Sequence, residues 1–259
     1  MSCILDAPVL LVDNLNQDQI NQVQAYIKNN LAADSRVYML GGTGVLPSSL
    51  ENALTASGYK VSRLGGKDRY ETNVAILKEA TTITTTKEIM VCSGKGFADS
   101  LSAAALGKPI LLVDNALTDE QKEYINSISG TKAFYIIGGT GAVSDKVQAE
   151  LKAYGTTTRI GGQNRYETSV NVAKKFCSAP ETVTIAYGKD FADGMCGGVL
   201  ASSMNGPLVL IAEGSSRAAE AYTLTAGMTS GVVLGGSALI TDMLVRAVFY
   251  MKNGTIETK

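Results

Sequence analysis

Short runs of consecutive apolar residues recur along the chain, separated by longer stretches of mixed polarity. Ile89-Met-Val-Cys92 and Ile110-Leu-Leu-Val113 contain no polar member. A continuous apolar run of strand length suits a strand buried on both faces of a parallel sheet. The mixed stretches open with helix-start chemistry. Asp68 followed by Glu71 reads as an N-cap with its capping-box partner, and Asn164 with Glu167 repeats the device. Thr118 and Ser144 are positioned to cap two further helices.

Over residues 63–158 the pattern predicts a helix following Asp68, then strand 87–92, helix 98–106, strand 109–113, helix 119–127, strand 132–137, helix 145–153 and strand 156–160. A further strand is predicted at Pro8. Strands alternating with helices of this length predict βαβ units and a mainly parallel sheet.

The pattern is also internally repeated. Arg63-Leu-Gly-Gly-Lys-Asp-Arg-Tyr-Glu-Thr72 returns as Arg159-Ile-Gly-Gly-Gln-Asn-Arg-Tyr-Glu-Thr168, and Gly94-Lys-Gly-Phe-Ala-Asp99 returns as Gly188-Lys-Asp-Phe-Ala-Asp193. The apolar run occurs three times, from Pro8, Pro109 and Pro207, and so does the glycine turn, from Gly41, Gly138 and Gly235. Landmarks in fixed order at nearly fixed spacing mark a repeat architecture. The expected organisation is an incomplete repeat over 1–62, a complete one over 63–158 and another over 159–259. The first lacks the Arg-Tyr-Glu-Thr and Phe-Ala-Asp segments. The last runs to Gly254-Thr-Ile-Glu-Thr, where the next Arg-x-Gly-Gly would be due.

Composition narrows the functional classes. The chain has 259 residues, 45% of them hydrophobic and 18% charged, enough to bury a large core. It contains no histidine, which excludes Ser-His-Asp and Cys-His catalysis and removes the commonest metal ligand. No metal, cofactor or catalytic residue is expected, and the chain reads as a binding module rather than an enzyme. Its net charge of −1, without a basic block, argues against nucleic acid as a partner. No apolar run reaches 18 residues and no leader peptide is visible, so neither a membrane span nor an export signal is expected within the sequence. Four cysteines are present, none at Cys-x-x-Cys spacing, and Cys92 and Cys196 read as buried free thiols.

The ordered set Arg63-x-Gly-Gly-x-Asp-Arg69-Tyr-Glu-Thr72, Ser93-Gly-x-x-Phe97-Ala-Asp99, Pro109-Ile-Leu-Leu and Ile137-Gly-Gly-Thr-Gly-Ala-Val-Ser144 resembles the type 2 cell-wall-binding repeat of Gram-positive surface proteins. The resemblance covers nearly the whole chain. It implies tandem three-layer α/β repeats with pseudo-threefold symmetry. It also implies non-covalent attachment to an anionic cell-wall glycopolymer, and so a location at the cell surface on a secreted, S-layer-associated protein. Here only about two and a half repeats are present. The surface that a half repeat leaves unpaired suggests a homo-oligomer.

Candidate ligand-binding residues follow from this reading. Arg63, Arg69, Arg159 and Arg165 offer planar guanidinium groups suited to phosphate or carboxylate. Arg69 and Arg165 also stand in the first turn of a helix, where free N–H groups favour anions. Against this, an arginine at a repeated landmark can equally lock a repeat interface. Tyr70 and Tyr166 are candidate stacking platforms, or rings of the core. Lys95 and Lys189 lie on glycine turns before a helix, a possible anion cradle that the nearby Asp99 and Asp193 would oppose. Gly94-Lys-Gly96 lacks the Ser/Thr of a phosphate-binding loop, so an enzyme acting on a phosphorylated small molecule ranks below both anchoring and a structural, adhesive role.

Overall fold

The computed structural model describes residues 1–13, 15–228, 230–250 and 256 of the chain. Helices and strands alternate as α1 (Ser2–Leu5), α2 (Gln17–Asn30), β1 (Arg36–Leu40), α3 (Ser48–Ala56), β2 (Lys60–Leu64) and α4 (Arg69–Thr81). There follow β3 (Glu88–Ser93), α5 (Ala98–Ala104), β4 (Ile110–Val113), α6 (Asp119–Ser127), β5 (Lys132–Ile137), α7 (Asp145–Lys152) and β6 (Gly155–Ile160). The last are α8 (Arg165–Phe176), β7 (Thr184–Tyr187), α9 (Ala192–Ser203), β8 (Leu208–Ile211), α10 (Arg217–Thr225), β9 (Val232–Leu234) and α11 (Asp242–Val248). Every strand and helix expected over residues 63–158 is present, with ends that move by up to two residues. The segment from Gly254 lies outside the described residues.

All pairings are parallel, in sheets of order β1-β2, β4-β3-β5-β6 and β8-β7-β9. The apolar runs behave as the pattern demands. In β8 every residue is buried. Leu208 and Leu210 face a cluster with Ala98, Leu101 and Ala105, whereas Val209 and Ile211 face one with Val170, Tyr222 and Val245. Burial on both faces explains why such a strand carries no polar alternation.

The chain divides into two compact units, Leu10–Thr82 and Met1–Val9 with Ile83–Lys259. In the smaller unit, α2 and α3 cover one face of the two-stranded sheet through Ile20, Leu50, Leu54, Met39 and Tyr59. In the larger unit the four-stranded sheet has α5 and α8 on one face, through Ala103 and Val172 against Met90, Cys92, Ile137 and Ile160. Gln121 of α6, fully buried, donates to the Leu112 carbonyl of β4 at 2.7 Å. Helices α5, α8, α9 and β8 form a continuous apolar cluster that joins the second and third sheets.

One predicted element is missing. The apolar run at Pro8 forms no strand. Its counterparts β4 and β8 pair with β3 and β7, and among the described residues no strand stands beside β1 to pair with it. Leu10 is therefore 45% exposed where Leu111, its counterpart, is wholly buried. An apolar run supplies the wish to be buried, but a strand also needs a partner for its backbone groups.

Candidate functional site

The repeated motifs converge where the strands end and the next helices begin. At the start of α8, Asn164 accepts from the backbone N–H groups of Tyr166 and Glu167 at 3.0 Å each. Asp68 does the same for Tyr70 and Glu71 at the start of α4. The predicted capping box differs in one respect. Glu167 accepts from the N–H of Gln163, and Glu71 from that of Lys67, one residue ahead of the cap. Thr168 and Thr72 accept from Gly162 and Gly66. The acidic residue and the threonine thus tie the glycine loop to its own helix. A side chain at Gly162 would bring its Cβ 2.4 Å from the Glu167 Cβ, and at Gly66 the same approach is 2.3 Å. These glycines are required by close approach.

The first arginine of each motif belongs to the same internal lattice. Arg63 donates to the Gly41 carbonyl at 2.9 Å and is ion-paired with Glu51 at 2.8 Å. Arg159 donates to the Gly138 and Val143 carbonyls and to Gln148, and lies 3.3 Å from an Asp145 oxygen. Their side chains are only 16% and 19% exposed. Both guanidinium groups clamp a glycine turn to the following helix. At that turn Gly138 has φ of +107°, a conformation that a residue with a side chain rarely adopts.

The second arginine is different. Arg165 is exposed. It donates to the Gly188 carbonyl at 2.8 Å, and its guanidinium lies 5.4 Å from the centroid of the Phe97 ring. Phe97 meets Phe191 edge-on at 6.1 Å. Phe191 is 46% exposed, an unusual setting for a large aromatic ring. Tyr166 packs against the joining apolar cluster and lies so close to Gly188 that a Cβ there would sit 2.6 Å from its ring. Asp99 lies against Gly138, and Asp193 likewise against Gly235. Burial pushes the Asp99 carboxyl above its ordinary range, and the Arg165 charge opposes this.

The two lysines diverge. Lys95 is ion-paired with Asp114 at 2.5 Å and lies 3.4 Å from the Asn115 side-chain oxygen. Lys189 is exposed, and no ion pair or hydrogen bond of its side chain is found among the described residues. In the smaller unit Arg69 is exposed and Tyr70 half-buried, at the first turn of α4. The structure therefore gathers Arg165, Tyr166 and Lys189 of the third repeat with Phe97 and Asp99 of the second. Phe97 and Phe191 were not singled out as ligand contacts from sequence, although both stand at the repeated Phe-Ala-Asp.

Of the two thiols expected to be buried, Cys92 is, and burial raises its pKa well above the usual value. Cys196 is exposed on α9, a correction. Small neighbours there (Gly194, Gly197, Gly198) serve the face of α9 turned to Leu101, Leu208 and Ala104, and Cys196 lies off that face. Among the described residues, no group of three or more Cys, Asp or Glu side chains could hold a metal ion, and no helix is long and apolar enough to cross a membrane.

Parallel sheets layered between helices, recurring with their own glycine turns and caps, define a tandem three-layer α/β repeat protein. The profile of the cell wall binding domain 2 (CWB2) family matches residues 63–148 and 159–245, and the chain belongs to that family. It is similar to the amidase enhancer of Bacillus subtilis (strain 168), at 30% identity over 83% of the chain and 29% of that protein. It is also similar to N-acetylmuramoyl-L-alanine amidase LytC of the same organism, at 26% identity over 79% of the chain and 41% of that protein. The fold matches Cwp8 from Clostridium difficile with TM-score 0.80 and 25% identity, over 95% of this chain and 44% of the other. Cwp6 from Clostridium difficile has the same fold, with TM-score 0.79. The chain spans less than half the length of each of these relatives. Cell wall binding is the function this family membership carries.

Proposed function

We propose that the chain holds a protein at the Gram-positive cell surface by binding an anionic cell-wall glycopolymer, and that it does so without catalysis. Two successive family matches in one chain carry this reading. The contact face proposed is the junction of the second and third repeats. There Arg165 and Lys189 supply charge, and Phe191 supplies an exposed ring on which a sugar can rest. Aromatic rings beside cations suit a ligand that alternates apolar sugar faces with phosphate or carboxylate. Arg69 and Tyr70 at the start of α4, with Lys95, are proposed as weaker contacts. Arg63 and Arg159 are given a positioning role, because their donors are spent on internal carbonyls and carboxylates.

The test is co-sedimentation with purified Gram-positive walls, intact and acid-stripped of anionic polymer, over a salt series. Retention on intact walls alone, falling with salt, is expected. Lys189→Ala, whose side chain makes no ion pair or hydrogen bond among the described residues, should weaken retention while leaving thermal unfolding unchanged. Equal retention on stripped walls would overturn the proposal.

A further inference from the structure

The junction of the second and third repeats places an acid behind the arginine proposed to hold the polymer. Asp99 stands in the first turn of α5, two residues after Phe97. Phe97 is the ring beneath the Arg165 guanidinium, at 5.4 Å. One carboxylate oxygen of Asp99 is packed against the turn at Gly138, so closely that a side chain at that glycine would collide with it. The carboxylate is therefore held by the body of the second repeat, while the guanidinium comes from the third.

The two charges sense each other without touching. Arg165 donates to the Gly188 carbonyl at 2.8 Å. Among the described residues no hydrogen bond or ion pair joins Asp99 to it. Burial raises the Asp99 carboxyl above its ordinary value of 3.8, and the positive charge of Arg165 works against this rise. Such coupling is reciprocal. While Asp99 is ionised it offsets part of the Arg165 charge towards an incoming anion, and once protonated it does not.

Other groups around α5 are engaged elsewhere or do not titrate. Strands β4 and β8, which pack on α5, carry no titratable side chain. Strand β3 brings Cys92 near Asp99, and burial keeps that thiol protonated well past the carboxylate range. Glu88 of β3 and Tyr135 of β5 are bonded to each other, and Lys132 stands at the end of β5 away from Gly138. On α8, Glu167 is bonded to the Gln163 N–H, Tyr166 packs in the joining apolar cluster, and Lys174 and Lys175 lie in the last turn. On α9, Asp193 is turned to Gly235 and Cys196 to the Val9 carbonyl. Lys95, ahead of α5, is paired with Asp114.

We infer that Asp99 regulates the polymer contact: ionised, it holds back the charge of Arg165, and protonated, it releases that charge, so the grip on an anionic polymer tightens as the surroundings acidify. The inference rests on the anchoring role proposed for Arg165. A phosphodiester keeps its own charge through the carboxylate range, so the change falls on the protein side of the contact.

The test compares the full chain with Asp99→Asn by co-sedimentation with intact Gram-positive walls, from about pH 7 to about pH 4, across the carboxylate range. The ratio of the two affinities is read, because the general gain of positive charge on acidification is common to both and cancels. Near the upper end Asp99→Asn should bind about threefold more tightly, the size of one partly exposed charge pair. Near the lower end the two should converge. In an Arg165→Gln background the same substitution should change nothing. If Asp99→Asn does not fold, the loss caused by Arg165→Gln alone decides, since it should be larger at the acidic end. A ratio constant over the range would overturn the inference, as would an Asp99→Asn gain that persists without Arg165, or an Arg165→Gln loss independent of pH. If the unmodified chain is not retained by intact walls at any pH, the anchoring proposal falls and this regulation with it. Retention with a flat ratio removes the regulation alone.

Discussion

Single side chains in this fold report their surroundings through titration and reactivity. Glu88 accepts from Lys108 and, at 3.1 Å, from the Tyr135 hydroxyl. The Lys108 hydrogen bond holds its carboxyl below the ordinary value of 4.5, against a smaller opposing effect of burial. A folded-state pKa below the unfolded one contributes stability above the unfolded value, and that stability is lost as pH falls through the folded value. Urea midpoints of the unmodified chain should therefore drop more steeply than those of Glu88→Gln as pH falls below about 5. The carboxylate is 38% exposed, so screening keeps the difference small. Parallel pH profiles would remove Glu88 as a contributor. The thiols give a second reading at this scale. Cys196 should react with a thiol reagent in the native state, and Cys92 only after unfolding, because burial both shields it and disfavours its thiolate. Native labelling of Cys92 at the rate of Cys196 would mean that the face covered by α5 and α8 opens freely.

At the scale of elements, the Arg-x-Gly-Gly loops are the joints. Gly162→Ala would drive a Cβ to 2.4 Å from that of Glu167, whereas nothing lies within 4 Å of a Cβ at Gly141. Overpacking of this kind costs about 1–3 kcal/mol, so Gly162→Ala should lower the urea midpoint clearly and Gly141→Ala hardly at all. Similar midpoints would show that the loop yields. What was legible beforehand follows the same division. Strand β3 could be read because both its faces are buried and its apolar run is unbroken, whereas β6, Gly-Thr-Thr-Thr-Arg-Ile, alternates in burial and was legible from its place before the repeated glycine loop. Helix starts could be read because Asp68, Asn164, Thr118 and Ser144 are local caps whose chemistry needs no distant partner. The reciprocal bond of Glu71 falls one residue early, on the N–H of Lys67 rather than that of Asp68, because the glycine loop turns the Lys67 amide towards the helix start. The Pro8 run forms no strand for a non-local reason, since among the described residues it finds no strand to pair with. The candidate site was legible only in its cations. That Arg63 and Arg159 turn inward while Arg165 lies over Phe97 depends on which carbonyls and rings the fold brings near, and spacing does not encode that.

For the whole molecule, the difference between the two glycine-turn lysines becomes a test of how binding is shared between repeats. Charges on a surface act over roughly 10 Å at 0.1 M salt and 3 Å at 1 M, so an ion pair at 2.5 Å neutralises Lys95 towards a polymer at any salt used. Among the described residues Lys189 has no such partner, and the position of Asp114 is held in the third repeat by the buried Ala212. The repeats are alike in fold and unlike in available charge. Lys189→Ala should therefore cost more wall retention than Lys95→Ala, and Asp114→Asn should raise retention by releasing Lys95. If both repeats engage one polymer, the gain from Asp114→Asn should exceed that of an independent site, because a second tethered contact binds at high effective concentration. Retention measured for the three variants at two salt concentrations separates the possibilities. No loss for either Lys95→Ala or Lys189→Ala, with no gain from Asp114→Asn, would mean that the glycine turns do not touch the polymer. The contact would then have to be sought at Arg165 and Phe191.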